Sequence, residues 1–138
     1  MSILDFFRAC IYKNTIQPAH FEKDNEGALT TAIVTVYSTS GSDDQWPFVY
    51  NVFEKAGPQG KFNVVRGFAA MIGNLKNPAN AQQGIAALKD IGIKYKQFGV
   101  APFVTGLLTQ IKSARAGLKD DASAAAADDA IKAINDAK

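Results

Sequence analysis

Residues 61–76, KFNVVRGFAAMIGNLK, repeat apolar side chains at the spacing of an α-helix. Val64 shares one helical face with Phe68, Met71, Ile72 and Leu75, which follow it by four, seven, eight and eleven positions. Because a helix has about 3.6 residues per turn, this spacing places one apolar stripe along one side. The stripe must be buried, so the chain has to supply further elements that pack against this helix.

Helix-start signals divide the residues after 76 into segments with the same period. Asn77-Pro78 combines a capping residue with a proline at the first helical position, and Pro102 and Asp120 mark two later starts. The predicted inner faces are Ile85, Leu88 and Ile91; then Phe103, Val104, Leu107, Leu108 and Ile111; and finally Ala127, Ala130, Ile131 and Ile134. The alanine-rich end therefore predicts a packed final helix.

The first half of the chain is less regular. Residues 28–41 are rich in β-branched side chains that favour a strand, but their apolar residues also fit one helical face. No other segment offers a convincing partner strand, so we predict a helix. Residues 13–27, with Pro18 and a charged patch, are interpreted as a connection. In the next segment Ser42 is the expected cap, with Asp43 and Asp44 in the first helical turn, and Pro47 either limits this helix or sets its start.

These segments predict an all-α architecture with about seven helices, and the length predicts one domain over residues 1–138. Hydrophobic residues make up 47% of the chain and charged residues 20%, which is typical of a globular domain with one core. A net charge of +2 with scattered lysines argues against nucleic-acid binding. Cys10 is the only cysteine, which excludes an internal disulfide and a thiolate metal cage.

The apolar runs are too short for a membrane helix, which needs about 20 residues. Residues 1–12 lack the basic start and the cleavage site of a secretory signal, and their apolar residues Leu4, Phe7 and Ile11 recur at helical spacing. We therefore expect an intracellular protein whose contact with membranes is at most peripheral.

From Lys61 onward the order of the segments resembles the second half of a globin. VVRGFAAMIGNLKNPA resembles the helix on the distal side of the haem, and IAALKDIGIKYKQFGV resembles the proximal helix with the turn after it. The last two segments resemble the final two globin helices. The resemblance covers a little over half of the chain. It implies a globin-like helical sandwich in which the helix from Lys61 to about Lys76 crosses the helix that Pro102 opens.

The resemblance also implies which residues would face a haem. Tyr95 stands at the position of the iron-binding histidine, and Gly60 stands at the distal position. The other implied pocket residues are Val64, Phe68, Ile91, Val100 and Phe103. The only histidine, His20, lies outside both implied haem-facing helices. A tyrosinate can bind ferric haem, but this requires ionising a phenol whose ordinary pKa is about 10.

We therefore expect no haem and no other cofactor. Tyr95 would be a metal ligand only in an alternative in which the chain binds haem. That alternative is a haem protein that binds or senses oxygen or another small ligand. A globin-like core without haem must fill or collapse the vacated space. The expected fillers are Phe62, Phe68, Met71, Phe98 and Phe103. If they leave a pocket, a second alternative is a haem-free sensor that binds a fatty acid or another apolar ligand.

No pattern in the chain indicates catalysis. His20 is accompanied by no nucleophile motif or carboxylate pair, and the paired aspartates lack metal-ligand spacing. We therefore expect a non-enzymatic accessory or structural subunit that binds other proteins through its terminal segments. Phe6 and Phe7 are adjacent on a predicted helix and point in different directions, so we expect at least one to meet a partner. Trp46 is either a core residue or an interface anchor.

Overall fold

The computed structural model describes residues 2–23, 27–40 and 43–138, apart from the side chains of Ser40 and Arg66. Over these residues the only regular structure is helix, which confirms the all-α class. The eight helices are α1 (Ile3–Tyr12), α2 (Pro18–Glu22), α3 (Ala28–Ser40), α4 (Trp46–Lys55), α5 (Pro58–Asn74), α6 (Pro78–Gln97), α7 (Ala101–Gly117) and α8 (Asp121–Asp136).

Proline sets the start of most helices. All five prolines of the chain stand in the first turn of a helix, at the beginning of α2, α4, α5, α6 and α7. This position suits proline because the first N–H groups of a helix have no partner within it. Side-chain caps add to this at α6, where the Asn77 side chain accepts a hydrogen bond from Ala79 N at 3.0 Å, and at α8, where Asp120 accepts one from Ser123 N at 2.8 Å.

Helix α2 lies within the segment that the sequence predicts to be a connection, and that prediction is wrong for residues 18–22. Pro18, interpreted as a break, is instead the first residue of the helix. The cap is reciprocal, because the Gln17 side chain accepts from the backbone of His20 while His20 Nδ1 accepts from Gln17 N at 2.9 Å. A helix of five residues is too short to show an apolar period, so only its cap could have indicated it.

The start of α4 differs from the predicted cap at Ser42 but agrees with the alternative that Pro47 sets the start. Ser42 lies outside the described residues, and the helix begins at Trp46, after both aspartates instead of before them. Asp43 is buried, and its Oδ2 accepts hydrogen bonds from Asn77 N and from Asn80 Nδ2, both at 3.0 Å. This carboxylate therefore joins the start of α4 to the start of α6.

The helices pack in two rows that follow the order of the chain. In the first row α1 packs on α3, α3 on α5 and α5 on α7. In the second row α6 packs extensively on α8, and α2, α4 and α6 follow one another with smaller contacts. The rows meet mainly where α2 packs on α5 and where α5, α6 and α7 each contact the next helix along the chain. Every substantial contact in the described part of the chain thus joins helices no more than three apart in order.

The predicted packing of α5 on α7 is present. The globin-like sandwich as a whole is not confirmed, since no substantial contact among the described residues joins α1 to α7 or α8. Among the first helices, packing instead skips the next helix along the chain, since α1 packs on α3 and α3 packs on α5.

The predicted inner faces of α6, α7 and α8 are largely confirmed. The predicted residues that are buried are Ile85, Leu88, Ile91, Val104, Leu107, Ile111, Ala127, Ala130 and Ile134. Phe103, Leu108 and Ile131 are half-buried beside them. Trp46 is fully buried, which places it in the core, and Phe98, expected as a filler, is 68% exposed after the end of α6.

Candidate functional site

Tyr95 lies near the end of α6, where three aromatic rings join three helices. Its hydroxyl donates a hydrogen bond to the backbone oxygen of Pro58 at 2.6 Å. Its ring centroid lies 4.7 Å from that of Phe103 and 5.9 Å from that of Phe62, and these two phenylalanines stack at 4.6 Å. We call Phe62, Tyr95 and Phe103 the aromatic cluster. It links α5, α6 and α7 close to the start of α5 and α7.

The electrostatic surroundings of Tyr95 favour the neutral phenol. Partial burial, and then the negative charge of Glu22, raise the pKa of Tyr95 above its ordinary value. Its neighbour Lys96 cannot offset this, because its Nζ donates to the backbone oxygen of Ile134 at 2.8 Å, at the end of α8. Lys94, on the other side in sequence, is exposed. A tyrosinate ligand needs the opposite shift of the pKa.

The implied pocket residues Val64, Phe68 and Ile91 belong to the packed core. Val64 is fully buried, Ile91 is buried, and the ring of Phe68 stacks on Phe53 at 4.7 Å and contacts Trp46 at 5.4 Å. Both neighbours are themselves buried core residues. Phe68 is thus packed against other aromatic rings of the core.

Gly60 and Val100 have local structural functions. A Cβ at Gly60 would lie 2.7 Å from Glu22 Oε1 and 3.0 Å from the Cβ of Phe21, so glycine is what allows α2 to approach α5. Val100 precedes α7, and its N–H donates to the backbone oxygen of Tyr95 at 3.1 Å. Neither residue offers a polar side chain to a ligand.

The residues implied by the globin resemblance do not fit a haem. Tyr95 directs its hydroxyl at the Pro58 carbonyl, and Phe68 is packed against other rings. Of the seven implied residues, only Phe103 lines the pocket described next. The structure therefore brings Tyr95 and Phe103 together, leaves Val64, Phe68 and Ile91 in the core, and places Gly60 against α2.

A pocket of about 460 Å³ lies between α3, α5 and α7, beside the aromatic cluster. Its apolar lining consists of Phe62, Val65, Pro102, Phe103 and Leu107, and its polar lining consists of Thr30, Thr31, Asn63 and Gln110. Gly27, Gly67 and Gly106 complete the wall. Sequence reasoning missed this site, because its walls come from helices whose relative positions no pattern specifies. The sequence signal that could have indicated the pocket is the presence of Gly67 and Gly106 inside helices, where glycine is unfavourable.

A second feature is the outer side of α1. Phe7, Cys10 and Ile11 are buried against the core, whereas Ile3 is 61% exposed and Phe6 is 44% exposed. We call Ile3 and Phe6 the outer apolar face of α1. They are three positions apart, so they are neighbours on the helix surface. Phe6 and Phe7 thus do point in different directions, as the sequence predicts.

His20 lies beside this face. Its ring centroid is 5.7 Å from that of Phe6 and 5.6 Å from that of Phe7. Partial burial, and then the positive charge of Lys23, lower the pKa of His20 below its ordinary value. Its Nδ1 is used in the cap of α2, so His20 acts as a packing and capping residue.

The described residues form neither a metal-binding cluster nor a membrane-spanning helix. No group of three or more histidine, cysteine, aspartate or glutamate side chains in that part of the chain could hold a metal ion. No helix there is long and apolar enough to cross a lipid bilayer.

Comparisons with protein-family models, curated proteins and solved structures found no match. The resemblance of residues 61–138 to a globin stays a prediction from the order and spacing of the helices. Of the packing that it implies, the contact between α5 and α7 is present.

Proposed function

We propose that this chain is a non-enzymatic, haem-free accessory subunit that binds another protein of a larger assembly through the outer apolar face of α1. The observation that carries the proposal is the exposure of Ile3 and Phe6, 61% and 44%, on a helix whose opposite side is buried. Helix α1 stands at the end of the first row and packs mainly on α3, so among the described residues this face is bordered by His20 but is not covered by another helix.

The exposure of this face is informative, because large apolar side chains that lie side by side on a surface mark protein–protein contact sites. Ile3 and Phe6 are two such side chains. Burying their exposed parts against a partner would contribute roughly 2 kcal/mol, at 1.5–3 kcal/mol for a fully buried apolar side chain. This is the size of contribution expected from the central residues of a protein interface.

The surroundings of Phe6 also suit an interface. Its ring contacts both Phe7 and His20, which restrict its motion before any partner binds and so lower the entropic cost of association. The same helix carries an exposed ion pair, in which Arg8 Nη1 lies 3.4 Å from Asp5 Oδ1. An apolar centre beside charged side chains is the usual composition of a protein–protein contact.

Helix α8, the other terminal segment expected to bind a partner, has fewer features of a binding surface. The apolar stripe of α8 is covered by α6, and its outer side carries aspartates that are paired within the chain. Asp128 Oδ1 lies 2.6 Å from Arg115 Nε, and Asp129 Oδ2 lies 3.1 Å from Lys89 Nζ. The proposal therefore rests on α1 alone.

Site-specific photo-crosslinking in the source organism tests this function. A photoreactive phenylalanine analogue replaces Phe6 in one strain and Ala116, an exposed residue of α7, in a control strain. We expect one discrete cross-linked protein from position 6 and none from position 116. A chain that migrates as a monomer and forms no cross-link specific to position 6 would contradict the proposal.

Haem binding through Tyr95 is the alternative that this proposal sets aside. Its support is the sequence resemblance, and against it stand the hydrogen bond to Pro58, the raised pKa of the phenol and the packing of Phe68 against other rings. The absorbance spectrum of the purified protein separates the two. A stoichiometric Soret band that Tyr95→Phe removes would establish the haem protein.

A further inference from the structure

The pocket between α3, α5 and α7 has the size and the lining of a small-molecule site. Its volume of about 460 Å³ lies in the usual range for such sites, about 300–1,000 Å³. The stacked rings of Phe62 and Phe103 provide a flat aromatic surface at one end. Phe62 is 41% exposed, so this surface is accessible from outside.

Gly106 keeps part of the pocket open. It lies inside α7, where glycine is less favourable than alanine. Gly67, inside α5, has a packing reason, because a Cβ there would lie 2.1 Å from the Cγ2 of Thr30. Gly106 has no such reason, since a Cβ at this residue would meet no heavy atom within 4 Å. The space that its missing side chain leaves belongs to the pocket.

Gln110, one helical turn after Gly106, supplies a polar group that the described residues do not satisfy. Its side-chain oxygen Oε1 is buried and accepts no hydrogen bond from them. A buried amide oxygen without a donor is costly, so it normally has a partner. Other polar side chains of the lining bond within the chain, since Thr31 donates to Gly27 O at 2.8 Å and Asn63 donates to Phe21 O at 3.2 Å.

We infer that this pocket binds a neutral small molecule that has an aromatic ring and an N–H or O–H donor. The ring packs on Phe62 and Phe103, and the donor bonds to Gln110 Oε1 after the side chain turns this buried oxygen toward the pocket. The ligand is neutral because the described residues that line the pocket are uncharged, and burying an unpaired charge among them would be unfavourable. This class differs from the fatty-acid anion that the globin resemblance suggests, and the site is distinct from the outer apolar face of α1.

Fluorescence titration of the full chain with N-phenyl-1-naphthylamine tests the inference. This neutral probe has aromatic rings and one N–H donor, and its N-methyl derivative lacks the donor. We expect saturable binding of one probe per chain. The N-methyl derivative should bind about fivefold to tenfold more weakly, the factor that one net hydrogen bond provides. Phe6→Ser should leave both affinities unchanged, which separates this site from α1.

Two variants locate the probe. Gly106→Leu places a side chain in the pocket and should weaken binding at least about tenfold, whereas the control Ala116→Leu adds the same side chain at an exposed position of the same helix and should have no effect. Gln110→Leu should weaken binding of the N–H probe alone and so abolish the difference between the two probes. This second variant decides the question if Gly106→Leu fails to fold.

Three results would overturn the inference. One is the absence of saturable binding, and another is equal binding to the wild type and to a folded Gly106→Leu variant. The third is a difference between the two probes that persists in Gln110→Leu, since the donor would then bond elsewhere.

Discussion

The hydroxyl of Tyr95 shows how a residue that the sequence links to iron has a structural use in this chain. Its hydrogen bond to Pro58 O connects the end of α6 to the start of α5. We predict that Tyr95→Phe lowers the free energy of unfolding at pH 7 by about 1 kcal/mol, the usual net value of one such bond. Urea denaturation measures it, with the exposed Tyr12→Phe as the control. An unchanged midpoint for Tyr95→Phe would show that the bond does not contribute.

The pH dependence of this difference follows from the raised pKa of Tyr95. The folded state holds the phenolic proton more tightly than the unfolded state does, so the stabilisation is complete below the unfolded pKa of about 10. It is lost as the pH rises through the higher pKa of the folded state. The stability difference between wild type and Tyr95→Phe should therefore be constant near neutral pH and shrink above about pH 10. A difference that grows in this range would contradict the assignment.

Gly106 and Gly67 are both glycines inside helices, but only Gly106 has space for a Cβ, so the same substitution at each should have opposite effects on stability. Gly106→Ala should raise the free energy of unfolding by about 0.5–1 kcal/mol, because alanine is the better helix residue and its Cβ meets nothing. Gly67→Ala should lower it, because the new Cβ would collide with Thr30. Thermal unfolding followed by circular dichroism compares the two. Destabilisation by both variants would mean that the space at Gly106 is not open.

Between elements, the most consequential single contact is the carboxylate of Asp43. It accepts hydrogen bonds from the first residues of α6, and its removal would leave the buried amide of Asn80 without this acceptor. We predict that Asp43→Ala lowers the free energy of unfolding by roughly 2–4 kcal/mol. The neighbouring exposed Asp44→Ala should change it by less than about 0.5 kcal/mol. Equal effects of the two variants would exclude the bridging function of Asp43.

The helices that could be predicted from sequence are the long ones. In α5 to α8 the apolar period extends over several turns, and the buried residues are largely those that the period selects. Helix α2 has five residues and shows no apolar period. The sequence therefore predicts a helix break at Pro18, whereas Pro18 is the first residue of α2. Asp43 was placed in a first turn because its partners, Asn77 and Asn80, are more than 30 positions away in sequence. Long-range partners of this kind leave no local pattern.

Of the two candidate sites, the outer apolar face of α1 could be predicted from the sequence and the pocket could not. The exposure of Phe6 beside a buried Phe7 follows from helical geometry, so the sequence could predict it. The pocket could not be predicted, since it depends on how far α3 and α7 stand apart across α5. Phe62 was expected to fill an interior cavity, but it lies partly exposed at this pocket because the helices form rows.

At the scale of the whole molecule, α1 stands at the end of the first row and packs mainly on α3, whereas α7 and α8 contact each other and α6. Contacts that are local in sequence favour rapid folding, because little chain entropy is lost before they form. The same arrangement leaves the outer side of α1 uncovered, with Ile3 and Phe6 on it. A partner that binds this side would complete the burial of Ile3 and Phe6, which is the basis of the proposed function.

Native mass spectrometry of the chain isolated from its source organism tests the central claim most directly, because it reports bound protein and bound haem together. We predict a complex with at least one other protein and no added mass of haem. Phe6→Ser should release the chain from the complex, whereas the control Ala116→Ser should leave the complex intact. A free chain at its own mass, or a chain that carries one haem, would contradict a haem-free subunit that binds its partner through α1.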